Sequence, residues 1–270
     1  GLVYADKITT VSETYAREIQ TPDYGEGLDG VLKERAGDLV GILNGIDTDI
    51  WSPAKDKLIS PNYTFRSLAR KAKNKQALLE QVGLPFHEDM PVVGVITRLA
   101  VQKGLDLLQP IFGDLIQHND VQVVILGSGE PKYEDFLRWA AHTYPERVFS
   151  HVGYDNDLAH KITAGADLFL MPSRYEPCGL NQMYSLRYGT IPIVRKTGGL
   201  ADTIKDYHEQ DGEGNGVSFE DYTPEALRIT IERALTLWRN PEVRLLMIER
   251  GMKDDFSWKN SAKKYLQVYK

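Results

Sequence analysis

The sequence has 270 residues, of which 42% are hydrophobic and 26% charged, and its 32 basic and 38 acidic side chains give a net charge of −6. This length suits one large or two medium domains, and the composition is that of a soluble globular protein. The acidic balance argues against a nucleic-acid partner, no apolar run is long enough to span a bilayer, and a single cysteine excludes an internal disulfide.

Residues 1–50 do not share the pattern of the rest of the chain. The segment DKITTVSETYAREI predicts a short strand and then a helix, with Ser12 as its N-cap and Glu13 in its first turn. A glycine-rich loop, TPDYGEGLDG, follows, and a second short strand is predicted near 39–43. We interpret this front section as the edge of another domain or the crossover from it. A polar, proline-containing loop then leads to a helix near 67–82.

From Pro91 onward, short apolar runs alternate with segments of helical period. Runs without strict polar alternation are typical of strands buried on both faces of a parallel sheet. Five such strands are predicted, at 91–97, 121–127, 147–153, 167–173 and 190–196. Because strands that alternate with helices form βαβ units, we predict an α/β fold: a Rossmann-like parallel sheet flanked by helices.

Apolar stripes at helical spacing mark the clearest helices. They comprise Leu105, Leu108, Phe112, Leu115 and Ile116 in one helix, and Leu227, Ile231, Ala234, Leu235 and Trp238 in another. The second helix begins at Thr223 and Pro224, an N-cap residue followed by a proline in the first turn. The tail is also amphipathic and predicts a final helix, with an apolar stripe of Trp258, Ala262, Tyr265, Leu266 and Tyr269.

Two cations follow the first strand of the predicted sheet. Arg98 and Lys103 lie where open α/β sheets bind ligands, at the carboxyl end of the strands. A guanidinium offers a bidentate fork for phosphate oxygens and an ammonium a compact charge, so the pair is suited to clamp a diphosphate. The alternative is a solvated loop with two ordinary surface cations. Gly127 and Gly129, after the second strand, favour an ordinary tight turn.

The stretch 167–200 predicts a strand, a polar turn, a helix, a second strand and a glycine turn. Glu176 lies in the first turn, which Pro177 makes rigid. Backbone N–H groups at Gly179 and Leu180 attract anions and a carboxylate orients hydroxyls, so this turn suits a sugar nucleotide. The alternative for Glu176 is a carboxylate that caps the helix.

Other features allow two interpretations each. Tyr154, at the exit of the third strand, is either a ring that stacks on a nucleotide base or a surface side chain. Cys178 is either a nucleophile or, as we favour, a small buried packing residue. KTGGLADT at 196–203 either approaches a phosphate or packs a helix against the sheet. The six histidines lack metal-ligand spacing, so no metal is expected.

Several motifs, in the same order along the chain, resemble the starch and glycogen synthases, which are retaining glycosyltransferases with two Rossmann domains (the GT-B fold). They are RLAVQKG at 98–104, YEPCGLNQMYSLRYGTIPIV at 175–194 and KTGGLADT at 196–203, with NGIDTDIWSP at 44–53 and YGEGLDGVL at 24–32 similar to linker motifs. The resemblance implies transfer of glucose from a nucleotide sugar, usually ADP-glucose, to an α-1,4-glucan, without a cofactor.

The resemblance also implies roles for individual residues. Arg98 and Lys103 match the basic pair that binds the donor diphosphate, and Glu176 matches the glutamate near the donor glucose. The implied donor-binding positions are Asn44, Tyr154 over the adenine ring, Cys178, Gly179, Leu180 and Asn181. The family often has threonine where this chain has Asn181, a departure that bears on donor preference.

A domain organisation follows from the same resemblance. Residues 1–42 match the end of an N-terminal Rossmann domain, 43–253 the nucleotide-sugar-binding C-terminal domain, and 254–270 a helix that packs back on the N-terminal domain. The chain is then half of an active site and inactive alone. The alternative is a nucleotide- or glucan-binding module without turnover. A dinucleotide oxidoreductase is disfavoured because TRLAVQKG, and not GxGxxG, follows the first strand.

The implied mechanism is a front-face substitution with retention. The leaving diphosphate, held by Arg98 and Lys103, helps to deprotonate the acceptor hydroxyl, while Glu176 orients donor hydroxyls and opposes positive charge at the anomeric carbon. The expected partners are a nucleotide sugar and an α-1,4-glucan, with no nucleic acid and no membrane. One cysteine fits a reducing compartment, either a bacterial cytoplasm or a plastid stroma.

Overall fold

The structure, a computed structural model that describes residues 1–208 and 210–270, begins with a small parallel sheet. Strand β1 (Ile8–Thr10) pairs with β2 (Leu39–Gly41), and α1 (Glu13–Glu18) and α2 (Asp29–Glu34) lie between them in sequence. As predicted, Ser12 caps α1: its hydroxyl accepts a hydrogen bond from the Tyr15 N–H at 2.9 Å. The predicted glycine-rich loop is shorter than expected because Asp29 starts α2 within it.

The rest of the chain alternates between helices and strands. In order these are α3 (Ala69–Val82), β3 (Val92–Leu99), α4 (Leu105–His118), β4 (Gln122–Gly129), α5 (Pro131–Thr143), β5 (Val148–Val152), α6 (Asn156–Gly165), β6 (Leu168–Met171), α7 (Asn181–Arg187), β7 (Ile191–Arg195), α8 (Gly198–Thr203), β8 (Val217–Phe219), α9 (Pro224–Arg239), α10 (Pro241–Lys253) and α11 (Trp258–Val268). All five predicted strands of the sheet are confirmed, and β8 is an additional strand that the prediction missed.

Strands β3 to β8 form a six-stranded parallel sheet in the order β5-β4-β3-β6-β7-β8. The chain starts the sheet at β3, builds to one edge, and then returns to add β6 on the other side. In such a doubly wound sheet a crevice opens between the carboxyl ends of the two central strands. β3 pairs with β4 along all of Val92–Leu99, but with β6 only at Val93↔Leu168 and Gly94↔Phe169. The two central strands, β3 and β6, are therefore no longer paired beyond Gly94 and Phe169.

Helices cover both faces of this sheet. The predicted apolar stripes of α4 and α9 are buried in one core cluster, which includes Phe112 and Trp238. On the other face, α3 and α6 pack around Leu78, Ile162 and Phe169. Burial on both faces explains why the strands are near-continuous apolar runs. As predicted, Thr223 caps α9.

Residues 1–43 contact the large sheet domain through apolar and polar side chains. Val11 and Leu43 pack against the cluster of Ile46, Cys178 and Met183. Asp202 of α8 accepts hydrogen bonds from the Ser12 hydroxyl at 2.6 Å and the Thr14 N–H at 3.1 Å. Helix α11 packs on the same section, where Ser261 donates to the Leu43 carbonyl at 2.6 Å. The boundaries 1–42, 43–253 and 254–270 stay a prediction.

The apolar stripe of the final helix is only partly covered. Trp258 and Leu266, and Tyr269 just after the helix, are 50%, 62% and 83% exposed, whereas Tyr265 is half-buried. Val268 lines a cavity with Val40 and Ile42 of the first section, and polar residues add further contacts. Lys264, for example, forms an ion pair with Glu13 at 3.0 Å. Across the described residues, no helix combines the length and the apolar character that crossing a membrane requires.

A buried polar cluster holds the linker after β2 against α6 and α7. Asp56 Oδ2 accepts a hydrogen bond from the Tyr188 hydroxyl at 2.6 Å and lies 2.7 Å from His160 Nδ1. Trp51 stacks between the rings of His160 and Tyr184, with 3.8 Å between ring centroids on each side. Burial raises the pKa of the Asp56 carboxyl group, but the hydrogen bonds from His160 and Tyr188 outweigh it and bring the pKa below its usual value.

Candidate active site

A cavity of about 190 Å³ lies between the carboxyl ends of β3 and β6, at the point where the strand order reverses. Its walls come from the exit of β3, the 3-10 turn at Val101–Lys103, the exit of β6 and the turn before α7. The sequence-predicted residues that line it are Arg98, Lys103, Glu176, Gly179, Leu180 and Asn181. Two distant chain segments, 95–108 and 170–181, therefore meet where an open α/β sheet binds ligands.

Lys103 and Glu176 form an ion pair inside this cavity. Gly104, with φ of +76°, ends the 3-10 turn, and a side chain at that position would collide with the Pro172 carbonyl. This close approach brings Lys103 Nζ to 2.5 Å from Glu176 Oε2, and the two side chains are only 16% and 9% exposed. The Ser173 hydroxyl donates to the same carboxylate oxygen at 3.1 Å.

The turn that carries Glu176 is fixed by amide side chains of α7. Asn181 Nδ2 donates to the Ile96 carbonyl at 2.9 Å and so bridges the gap between β6 and β3. Gln182 Nε2 donates to the carbonyls of Cys178 and Gly179 at 3.0 and 3.2 Å. In the described structure no side chain caps α7. Glu176 is therefore not a capping residue, and that alternative is wrong.

The KTGGL segment packs against the same turn. The Gly199 N–H donates to the Glu176 carbonyl at 3.0 Å, and a side chain at Gly199 would collide with the Cys178 carbonyl. On its other side, Glu18 of α1 accepts hydrogen bonds from the Thr197 hydroxyl at 2.9 Å and the Gly198 N–H at 3.0 Å. The small residues of this segment serve close packing of two turns.

Cys178 is a packing residue. Its side chain is buried with Ile46 and Met183. Burial raises the pKa of the thiol to about 11, despite a hydrogen bond from the Asn44 backbone, so the thiol stays protonated at neutral pH and is a poor nucleophile. Within residues 1–208 and 210–270, neither Cys178 nor Asn44 lines the cavity. Their roles in donor binding stay predictions.

A second cavity, of about 240 Å³, adjoins the first. The two cavities share lining residues, namely Ile96, Thr97, Arg98 and Asn181. The second one extends past Gly127 and Ser128 to Tyr154, whose ring is 87% exposed at the exit of β5. An exposed ring beside a groove walled by small residues is suited to stack on a flat ligand.

The joined cavities combine side chains suited to bind phosphate with side chains suited to bind hydroxyl groups. Arg98 and Lys103 supply positive charge, while Glu176 and Ser173 supply a carboxylate and a hydroxyl. The sequence analysis did not identify three residues that make supporting hydrogen bonds: Ser173 to Glu176, Gln102 to Arg98, and Gln182 to the turn before α7. The one available signal was their proximity in sequence to Lys103 and Glu176. In the described part of the chain, no cluster of three or more histidine, cysteine or acidic side chains is placed to hold a metal ion.

Comparison with known families identifies the family of the chain. Residues 79–254 match the family model for glycosyl transferases group 1, which covers more than half of the chain, and residues 1–34 match that for the starch synthase catalytic domain. This chain belongs to the group 1 glycosyltransferases. The motifs 98–104 and 175–194, which carry the resemblance, both lie inside the first match.

Within this family the chain is similar to glycogen synthases along its whole length. It is 53% identical to that of Anaeromyxobacter dehalogenans over 272 residues and 47% identical to that of Clostridium novyi over 269, and it spans 56% of each relative. Among solved structures it is similar to the "catalytic domain of Starch Synthase IV from Arabidopsis thaliana bound to ADP and acarbose", with a TM-score of 0.93 and 37% identity over 99% of this chain and 56% of that one. The resemblance to starch and glycogen synthases is confirmed.

Proposed function

We propose that this glycosyltransferase chain binds ADP-glucose and forms the donor half of an enzyme that extends an α-1,4-glucan. The observation that carries the proposal is the joined pair of cavities between β3 and β6. Along their length they present the exposed ring of Tyr154, the two cations Arg98 and Lys103, and the carboxylate of Glu176. This order matches a base, a diphosphate and a sugar.

Each part of this groove binds a different part of the donor. The Tyr154 ring stacks on the base, which favours affinity because a large flat surface is buried with little loss of side-chain freedom. Arg98 and Lys103 bind the diphosphate, where charge-assisted hydrogen bonds are strongest. Glu176 and Ser173 face the glucose hydroxyls. ADP in the similar starch synthase IV supports adenine as the base.

The reaction proceeds by departure of the diphosphate and attack of a glucan hydroxyl on the same face of the sugar. Arg98 and Lys103 stabilise the negative charge that develops on the leaving diphosphate, whose oxygen accepts the proton of the attacking hydroxyl. Glu176 is the one carboxylate that lines the main cavity in the described chain. Its carboxylate is already paired with Lys103 at 2.5 Å, beside the cations proposed to hold the leaving diphosphate. This favours an orienting role over that of a nucleophile, and so favours front-face retention.

Isothermal titration calorimetry with ADP and UDP tests donor binding by this chain. ADP is expected to bind in preference to UDP, and Lys103→Ala to weaken ADP binding about tenfold or more, because it removes a charge-assisted contact. Lys132→Ala is the matched control, since this lysine follows β4 at the same edge but pairs with Glu130 at 3.1 Å. Equal affinity of the Lys103→Ala variant and the unaltered chain would overturn the assignment.

A binding module without turnover is the second candidate, because the chain spans 56% of the curated relatives. The two candidates differ in glucan elongation. The full-length protein that carries this chain is expected to transfer glucose from ADP-glucose to a maltooligosaccharide, whereas residues 1–270 alone are expected to bind ADP without elongation. ADP binding with no transfer by the full-length protein would favour the module.

A further inference from the structure

We infer that Gln102 is a positioning residue for donor binding: it holds the Arg98 guanidinium ready for the diphosphate and joins it to the turn that carries Glu176. The inference rests on the proposed function, because it concerns the same groove. It assigns a role to a residue that touches neither cavity in the described structure.

Gln102 lies in the 3-10 turn before Lys103 and uses both ends of its side-chain amide. Its Oε1 accepts a hydrogen bond from an Arg98 terminal nitrogen at 2.9 Å. Its Nε2 donates to the Tyr175 carbonyl at 3.3 Å, and its backbone carbonyl accepts from the Arg174 N–H at 2.8 Å. One residue thus connects the exit of β3 with the exit of β6, across the crevice.

The Arg98 side chain needs such a partner because it is exposed. A free arginine loses rotamer freedom when it binds a phosphate, and fixing it beforehand reduces that loss. Gln102 occupies one terminal nitrogen of the guanidinium and leaves the other N–H groups for a ligand. In the described residues no other side chain makes a hydrogen bond to this guanidinium.

The uncharged side chain of Gln102 suits this positioning role better than a carboxylate would. A carboxylate at this position would compete with the diphosphate for Arg98 and would place an oxygen against the Tyr175 carbonyl. An amide accepts from Arg98 and donates to Tyr175 without adding charge. Gln102→Met keeps the length of the side chain and removes both hydrogen bonds, so it isolates their effect.

A double-mutant cycle on this chain tests the inference, with ADP and adenosine as ligands in calorimetric and NMR titrations. We expect Gln102→Met to weaken ADP binding about five- to tenfold, as for one lost hydrogen bond to a charged group, and to leave adenosine binding unchanged. In an Arg98→Ala background the same substitution is expected to weaken ADP binding less than about twofold. Gln117→Met, on the exposed side of α4, is the control and is expected to bind ADP normally.

Each other outcome has a definite meaning. Unchanged ADP affinity in Gln102→Met, while the unaltered chain binds ADP, overturns the inference and leaves the proposed function standing. Equal losses for ADP and adenosine, or an undiminished loss in the Arg98→Ala background, overturn it in favour of a structural role. Failure of the unaltered chain to bind ADP overturns the proposed function and this inference together.

Discussion

Glu176→Gln is expected to tighten ADP binding and to slow glucose transfer. The carboxylate of Glu176 is the partner of Lys103 at 2.5 Å, in a site where both side chains are mostly buried. A diphosphate that binds Lys103 has to replace or share this partner. Removing the negative charge of Glu176 therefore releases Lys103 for the diphosphate and also reduces repulsion between two anions.

The size of the effect follows from the ion pair. A hydrogen bond between charged groups contributes about 1.5–3 kcal/mol, and a neutral amide in place of the carboxylate retains about half of it. The difference of about 0.75–1.5 kcal/mol corresponds to about four- to tenfold tighter ADP binding. Glucose transfer by the full-length protein is expected to slow about a hundredfold or more. The reason is that the transition state loses a negative charge that stabilises the positive charge developing at the anomeric carbon.

Calorimetric titration of ADP into the chain and its Glu176→Gln variant measures the change in ADP affinity. Single-turnover transfer from ADP-glucose by the full-length protein measures the change in transfer rate. Glu249→Gln is the matched control: its carboxylate also pairs with a lysine, Lys253, at 2.7 Å, but on α10. It is expected to change neither quantity. Weaker ADP binding by the Glu176→Gln variant would refute the competition between the carboxylate and the diphosphate for Lys103.

Two predictions concern stability. Asp56→Asn is expected to lower the free energy of unfolding by about 2–4 kcal/mol at pH 7, since His160 and Tyr188 lose a buried charged partner. Because the folded pKa of Asp56 lies below its ordinary value, this contribution is present above about pH 4 and disappears as the pH falls further; urea unfolding that shows the same difference at pH 3 and pH 7 would contradict it. Lys71, which donates to the Ala164 carbonyl and the Thr190 hydroxyl at 2.7 Å, has its pKa lowered by burial to about 7. The unfolded chain then binds more protons between pH 7 and 10.5, so stability is expected to rise with pH across this window, and Lys71→Met to flatten that rise; equal pH slopes would contradict the assignment.

Much of the fold was predictable because the strands of a covered parallel sheet carry an unmistakable pattern. Each of the five predicted strands is a near-continuous apolar run, and each was confirmed. β8 was not predicted because it is only three residues long and follows a glycine-rich stretch. α10 was not predicted either, since it buries only Met247, Ile248 and Gly251 and so lacks a broad apolar stripe.

The candidate site was predictable as a set of strand exits, but not as a set of contacts. Parallel strands end at one edge, so Arg98, Lys103 and Glu176 had to lie near one another. The hydrogen bonds of Gln102, Ser173 and Asn181 depend on how far β3 and β6 run side by side, and no local pattern specifies that register. Asn181 is an example. The resemblance implies that it lies at the donor site, and it does line both cavities, but its side-chain hydrogen bond to the Ile96 carbonyl is visible only in the structure.

The short pairing of β3 and β6 also bears on how readily this domain tolerates change. Only Val93↔Leu168 and Gly94↔Phe169 join the two strands, and every cavity-lining position on β3 lies beyond that junction. Substitutions at the β6 exit and in the turn before α7 therefore remove no strand-to-strand hydrogen bond between these two strands. The lining of the groove can therefore change in sequence while the sheet beneath it keeps its strand-to-strand hydrogen bonds.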